Sequence, residues 1–240
     1  ERGRRGDAWR EKTRFCVQSI AKQTTRYKMN TSHYIDEIAE RLFQANHPEG
    51  FPALLVALLR ELATGSAVSN EVLAKRLGWP AETVVAVLDQ TPGIEYDDRG
   101  RLIGYGLTLR ETPHSFEVDG RRLYTWCALD TLMIPAVIGR TAHIRSRCPQ
   151  TGEPVTLTVA PNEMVVLEPA GVTVSLLPPG AMNDIRSSFC CHVHFFASRR
   201  AGEDWLLQNP GAEIVSVEDA FRLGQGIAHQ LAKDAEVPPS

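Results

Sequence analysis

The sequence predicts an α+β protein in which a helical, winged-helix-like N-terminal domain is followed by a mixed α/β core. Two observations lead to this prediction. Apolar residues recur at helical spacing over residues 31–90, whereas after Pro92-Gly93 they alternate with polar residues as they do in β-strands. The chain has 240 residues, which is enough for a core domain with a smaller companion. We expect three parts, which are a weakly ordered basic extension over 1–30, the winged-helix-like domain over 31–112 and the core over 113–240.

Four helices are predicted in the N-terminal domain, each with a favourable residue at its start. Thr31 and Ser32 can cap the first helix through their hydroxyl groups. Pro52 suits the first turn of the second, Ser69 can cap the third, and Pro80 opens the fourth. The predicted helices are 31–47, Ala53–Thr64, Asn70–Leu77 and Ala81–Gln90.

A β-hairpin is predicted after these helices, because Ile94–Tyr96 and Leu102–Tyr105 flank the turn-rich residues Asp97–Gly100. Three short helices and a hairpin are typical of winged-helix domains, which often bind DNA. The helix predicted over 81–90 has no lysine or arginine, however, and residues 52–112 carry six basic against eight acidic side chains. Because a helix that meets phosphates should be positively charged, we predict no nucleic-acid partner and a packing or lid role.

The core is predicted to begin with a second hairpin, turning at Asp119-Gly120, and to continue into a helix over Trp126–Val137 that Pro135 interrupts. Alternating segments predict further strands, and helical spacing returns at the C-terminus. The further strands are 141–147, 155–159, 172–177 and 191–196, and the final helical segments are 217–226 and 228–235.

Charge and cysteine content limit the cellular setting. Residues 1–28 hold nine basic side chains against three acidic ones, and we interpret them as a solvated extension rather than a transit peptide. No segment approaches the roughly 20 apolar residues that cross a bilayer, so no membrane partner is expected. The odd number of cysteines favours free thiols in a reducing compartment, and we expect a cytoplasmic protein. The five cysteines are Cys16, Cys127, Cys148, Cys190 and Cys191.

Cys127 and Asp130 form the first candidate chemical pair. If both lie on a helix, a spacing of three residues places them on one face, where the carboxylate can accept the thiol proton and return it. Thiolates prefer soft, thiophilic metals. The alternative is a buried core cysteine beside an ordinary surface aspartate.

The second candidate cluster is the segment 190–196. If it is a regular strand, Cys190 shares one face with His192 and His194, while Cys191 points to the core. Cys190 would then be the reactive thiol. A zinc site on the first face stays an alternative, but a closed site needs four ligands, and Cys148 resembles only half of a zinc ribbon.

Three long motifs occur in a fixed order. They are RLYTWCALDTL at 122–132, PAVIGRTA at 135–142 and SFCCHVHFFAS at 188–198. In these motifs, and in GYGLTLRET at 104–112, the chain resembles bacterial organomercurial lyases, also called alkylmercury lyases. The likeness runs from about Tyr34 to the C-terminal helix and leaves out residues 1–28.

The resemblance implies an activity and residue roles. The family cleaves the carbon–mercury bond of alkyl- and arylmercury compounds by protonolysis, giving a hydrocarbon and Hg(II) as part of mercury detoxification. Its two catalytic cysteines correspond to Cys127 and Cys190, which also hold the Hg(II) product, and its catalytic aspartate corresponds to Asp130. Its structural thiol corresponds to Cys148, and its non-essential cysteine to Cys191. The core is then the catalytic domain.

No resident cofactor is expected, because mercury is both substrate and product. The implied partners are organomercurial small molecules, cytosolic thiols that are needed for turnover, and mercuric reductase as the Hg(II) acceptor. An apolar pocket lined by residues next to the site is expected. The alternatives are a metal-responsive winged-helix regulator, against which the acidic helix argues, and a thiol-based metallochaperone, which would not need Asp130. The neighbours that we expect to line the pocket are Trp126, Leu129, Leu132 and Phe189.

Overall fold

The computed structural model describes residues 33–42, 47–177 and 185–236. The predictions for the basic extension, for the caps at Thr31 and Ser32 and for residues 43–46 lie outside the described residues. The chain divides into two units, Glu1–Glu37 and Ile38–Ser240, and the sheets, the pocket and the candidate site all belong to the second. Among the helices that the structure describes, none is long and apolar enough to cross a membrane.

The helices predicted in the N-terminal half are present. Residues 33–42 are helical (α1), and the next three helices start and end within two residues of the predicted positions. Gly50, in the left-handed conformation with φ 80°, immediately precedes α2, so this helix begins before Pro52 rather than after it. Gly78 ends α3 in the same conformation, which a side chain would disfavour. The three helices are α2 (Phe51–Leu62), α3 (Asn70–Leu77) and α4 (Ala81–Asp89).

One antiparallel sheet of eight strands is formed between Glu95 and Glu168, in the order β1-β2-β3-β5-β4-β6-β7-β8. The predicted hairpin is confirmed as β1 and β2, and β3 joins it to the strands of the core. The sequence did not predict β3, which has only two residues, or β8, which is an edge strand. The strands are β1 (Glu95–Tyr96), β2 (Leu102–Tyr105), β3 (Leu107–Thr108), β4 (His114–Val118), β5 (Arg121–Thr125), β6 (Ala142–Arg147), β7 (Pro154–Val159) and β8 (Met164–Glu168).

A second sheet has three antiparallel strands, with β9 (Thr173–Leu176) between β10 (Phe195–Phe196) and β11 (Glu213–Ser216). The strand predicted over 191–196 is confirmed only at Phe195–Phe196, because Cys190–His192 form a 3₁₀ turn. Here the backbone pairs partly with a side chain. The Ser175 hydroxyl donates to the His192 carbonyl at 2.7 Å and accepts from the His194 N–H at 3.0 Å.

Helices α5 (Ala128–Ile138) and α8 (Val217–Asp234) pack against each other within the second unit. A Cβ on Gly224 would come within 3.2 Å of the Met133 backbone nitrogen, so the glycine permits this close approach. Pro135 lies inside α5 without ending it, because burial of eight of its eleven residues holds the helix in place. The remaining helices are α6 (Ile185–Ser188) and α7 (Arg199–Leu206). Helices and antiparallel sheets confirm the α+β class.

Candidate active site

Cys127 lies where β5 ends and α5 begins. It is the residue before the helix rather than a member of it, with φ −147° and ψ 172°. Its backbone N–H donates to Oδ2 of Asp130 at 3.1 Å, and its sulfur faces the Asp130 backbone N–H in return. This reciprocal arrangement is a capping box, in which cysteine replaces the usual serine or threonine. The same three-residue spacing that suits a helix cap therefore holds a thiol beside a carboxylate.

Cys190 reaches this helix start through backbone contacts. The N–H of Ala128, the first residue of α5, donates to the carbonyl of Val193 at 3.1 Å. The Val193 N–H in turn donates to the Cys190 carbonyl at 3.1 Å, which closes the 3₁₀ turn. As a result, the ligand atoms of Cys127, Asp130 and Cys190 all lie within 4.8 Å of one another. The structure thus brings together the three residues that the sequence singled out.

The other candidate side chains do not join this group. Cys191 is exposed rather than in the core, because a turn replaces the predicted strand and the alternation of faces does not apply. Cys148 is buried near the turn after β6, where burial raises the pKa of its thiol but hydrogen bonds from Thr151 and backbone amides outweigh this and lower it. His192 and His194 belong to no metal-ligand group within the described residues, so the zinc alternative has no support there.

Burial dominates the electrostatics of the group. Burial raises the pKa of the Cys127 thiol well above its ordinary value, and the hydrogen bond with Cys190 and the charge of Asp130 act in the same direction. Burial also raises the pKa of Asp130 to about 6, although its hydrogen bonds with Cys127 and the charge of Arg186 oppose the shift. Asp130 is therefore mostly ionised at neutral pH but can be protonated at low cost, as a proton carrier must be.

Cys190 experiences opposing influences. Its hydrogen bond with Cys127 lowers the pKa of the Cys190 thiol, but burial and the nearby charges of Asp130 and Cys191 outweigh this and raise it. The raised pKa values thus favour the neutral form of both thiols. Because metal binding deprotonates a thiol, a thiophilic metal would convert both into thiolates and release two protons.

An apolar cavity of about 170 Å³ opens onto the site. Asp130 and Cys190 line it, whereas Cys127 is fully buried and does not. Trp126, Leu129 and Phe189 line the cavity as predicted. Leu132 does not, because it lies in the core. The sequence analysis did not predict that α2 and Tyr105 of the hairpin help to line the cavity. For Tyr105, the available signal was its place in the motif at 104–112. Lining side chains include Phe51, Leu55, Tyr105, Trp126, Met133 and Phe189.

Two buried thiols, a carboxyl group with a raised pKa and an apolar cavity define a thiol-based site for a soft metal centre that carries a lipophilic group. Residues 107–229 match the family described as alkylmercury lyase, and residues 34–106 match the helix-turn-helix domain of alkylmercury lyase. The alkylmercury lyase of Pseudomonas putida is 58% identical over 208 residues, which are 87% of this chain and 98% of that protein.

The alkylmercury lyase of Bacillus cereus is 50% identical over 195 residues, covering 80% of this chain and 89% of the relative. A crystal structure of the mercury-bound form of MerB2 superposes with a TM-score of 0.69 at 26% identity, over 82% of this chain and 99% of that chain. The chain belongs to the alkylmercury lyase family, as its motifs predicted.

Proposed function

We propose that this protein cleaves the carbon–mercury bond of organomercurials by protonolysis, releasing a hydrocarbon and Hg(II), as part of mercury detoxification. The observation that carries the proposal is the convergence of two thiols and one carboxyl group within 4.8 Å beside an apolar cavity. A soft metal needs the thiols, the carbon needs a proton, and an organic group needs the apolar wall. The names of the relatives support the same reaction.

The exposure of the two thiols gives an order of events. Cys190 lines the cavity, so its sulfur bonds first to mercury of the R–Hg⁺ centre and releases its proton to solvent. Cys127 is fully buried and hydrogen-bonded to Asp130, so it gives its proton to that carboxylate and becomes the second mercury ligand. Two sulfur donors push electron density onto the carbon, and Asp130 returns the proton as the carbon–mercury bond breaks. The products are R–H and Hg(II) held by two thiolates.

The remaining residues and partners follow from this chemistry. Cys148, buried and hydrogen-bonded at its turn, is a structural thiol. No resident cofactor is required, and small thiols of a reducing cytoplasm, followed by mercuric reductase, take the Hg(II). A membrane partner is not required for this reaction.

The N-terminal domain over 31–112 serves the reaction rather than nucleic acid. Its hairpin β1–β2 is the wing of a winged helix, and α2 and the hairpin contribute Phe51 and Tyr105 to the cavity wall of the catalytic domain over 113–240. The helix α4 carries no lysine or arginine, which disfavours a metal-responsive regulator.

The test is headspace gas chromatography of the purified protein with phenylmercury and excess thiol. Benzene is expected from the wild type and not from Cys127→Ser. Asp130→Ala should lose protonolysis yet keep Hg(II) binding, because both sulfur ligands remain. Tight mercury binding by the wild type without benzene would instead favour a metallochaperone.

A further inference from the structure

Glu95 is a buried carboxylate in the hairpin, and the mechanism above does not use it. It lies on β1, it is 7% exposed, and its register partner on β2 is Gly104. A Cβ on residue 104 would collide with the Glu95 carboxylate and with the side chain of Thr108. The glycine therefore leaves the space that this carboxylate occupies.

Both oxygens of the carboxylate are held by hydrogen bonds. The hydroxyl of Thr108, which is fully buried, donates to Oε2 of Glu95, and Nη1 of Arg186 donates to Oε1. A buried carboxylate is costly unless it is paired and hydrogen-bonded in this way. The ion pair joins residues 91 positions apart and ties the hairpin to α6.

Arg186 extends this connection to the wall of the active site. Its Cζ lies 5.0 Å from the centroid of the Trp126 ring, within the range of a cation–π interaction. Trp126 immediately precedes Cys127, and Arg186 precedes Cys190 by four residues. Trp126 and Cys190 both line the cavity. The guanidinium thus stands between the segments that carry the two thiols.

We propose that Glu95 is a positioning residue for the carbon–mercury cleavage: from the hairpin it holds the Arg186 guanidinium against Trp126, and so keeps the α6–Cys190 segment beside Cys127. The helix-turn-helix domain then contributes this ion pair, in which only the carboxylate is buried, in addition to its side chains in the cavity wall. Neither Glu95 nor Arg186 contacts the reacting atoms in this scheme.

This inference rests on the proposed function for its kinetic consequence. Mercury must be bound by both sulfurs before the carbon is protonated, so the rate of cleavage depends on Cys190 staying within reach of Cys127. Capture by the first thiol needs no such alignment. A loosened Arg186 should therefore lower kcat and leave KM almost unchanged.

The experiment compares Glu95→Gln, Arg186→Gln and the double variant by benzene release from phenylmercury with excess thiol. Glu61→Gln is the matched control, because it breaks another glutamate–arginine pair, that with Arg76, which lies wholly within the helix-turn-helix domain. A second readout is acrylamide quenching of Trp126, with the other three of the four tryptophans replaced by phenylalanine. Gly104→Ala keeps every charge but fills the space of the carboxylate, and it tests the same connection if Glu95→Gln does not fold.

Each single variant at the pair is expected to lose roughly tenfold or more in kcat, as small displacements of reacting groups do. The double variant should be no slower than Arg186→Gln, because the two residues act through one contact. Trp126 should become more accessible to acrylamide in both, and Glu61→Gln should behave as the wild type. A wild-type kcat in Glu95→Gln, or losses that add in the double variant, would overturn the proposal.

Failure of the proposed function is distinguishable from failure of this inference. If the wild type releases no benzene, the function is wrong, and quenching alone then decides the positioning role. Unchanged quenching of Trp126 in Glu95→Gln would overturn that role as well, whereas increased quenching would support it.

Discussion

The two thiols of the site are placed in different ways. Cys127 is held by a local structure, the capping box at the start of α5, in which every contact joins residues three positions apart. Cys190 is held by contacts between distant parts of the chain, from Ala128 to Val193 and from Ser175 to the turn. A local motif survives many changes elsewhere, whereas a turn fixed by long-range contacts depends on the whole fold. Loss of local contacts should therefore affect chemistry, and loss of long-range contacts should affect chemistry and stability together.

The largest effect is expected from Asp130→Asn, which separates capping from proton transfer. The amide oxygen can still accept the Cys127 N–H, so the melting temperature should stay close to that of the wild type. Protonolysis should fall by about 100-fold or more, because the amide cannot carry the proton. Benzene release and thermal unfolding measure the two quantities. A large loss of stability in Asp130→Asn would show that the capping box depends on charge.

Ser175→Ala tests the long-range contacts that hold the turn carrying Cys190. This change removes the hydroxyl that bonds both His192 and His194, and it leaves buried backbone groups unsatisfied. We expect a loss of about 1–3 kcal/mol in the free energy of unfolding, measured in urea, together with slower turnover. Ser216→Ala is the control, because it removes a helix-capping hydroxyl away from the site. It should lose about 1 kcal/mol with an unchanged kcat. Equal kcat in the two variants would contradict the dependence on the turn.

Acid should weaken the contact between the two sheets at His114. His114 lies on β4, its Nδ1 is 2.9 Å from Oγ of Ser146, and its ring contacts that of Phe195 on β10. Burial, with the charge of His194 next, lowers the pKa of His114 to about 3. The unfolded chain therefore binds more protons between pH 3 and the ordinary histidine pKa of about 6.5. The contribution of His114 to the free energy of unfolding is fully present above that window and is lost as the pH drops through it.

His114 alone is expected to lower the free energy of unfolding by about 2 kcal/mol from neutral pH to pH 5, seen as the difference between the wild type and His114→Gln, whereas Asp130 acts in the opposite direction. Urea denaturation at the two pH values measures it. His114→Gln cannot take up this proton, so its stability should change less over the same range. A parallel pH dependence in wild type and variant would assign the acid sensitivity to other groups.

The smallest effect tests how closely the turn between β2 and β3 approaches Asp130. Gly106 has φ +72°, and a Cβ there would lie 3.4 Å from Oδ1 of Asp130. Gly120 has φ +71° with nothing within 4 Å, so Gly120→Ala carries the same backbone strain without crowding the site. Both alanine variants should lose about 1–2 kcal/mol of stability. Only Gly106→Ala should also slow benzene release, and equal rates would mean that Asp130 adapts to the added methyl group.

The features that could be predicted from the sequence are those that short-range interactions control. Helical spacing, Gly78 and the hairpin turn placed α3 and β1–β2, and the three-residue spacing predicted that Cys127 and Asp130 lie together, although Cys127 caps α5 rather than belonging to it. The long motifs of the sequence also identified the family. Such features depend on residues within a few positions of each other, so the pattern along the chain is sufficient to read them.

The arrangement of the segment around Cys190 could not be predicted, because it depends on contacts between distant parts of the chain. The segment 190–196 alternates as a strand does, yet it turns, because Ser175 on another strand bonds its backbone. Cys191 is therefore exposed, and the hairpin carboxylate Glu95 meets Arg186 across 91 residues. Periodicity reports which residues are apolar but not which distant group will satisfy a buried backbone or charge. That choice is made when the whole chain packs, because only then are the partners close enough to bond.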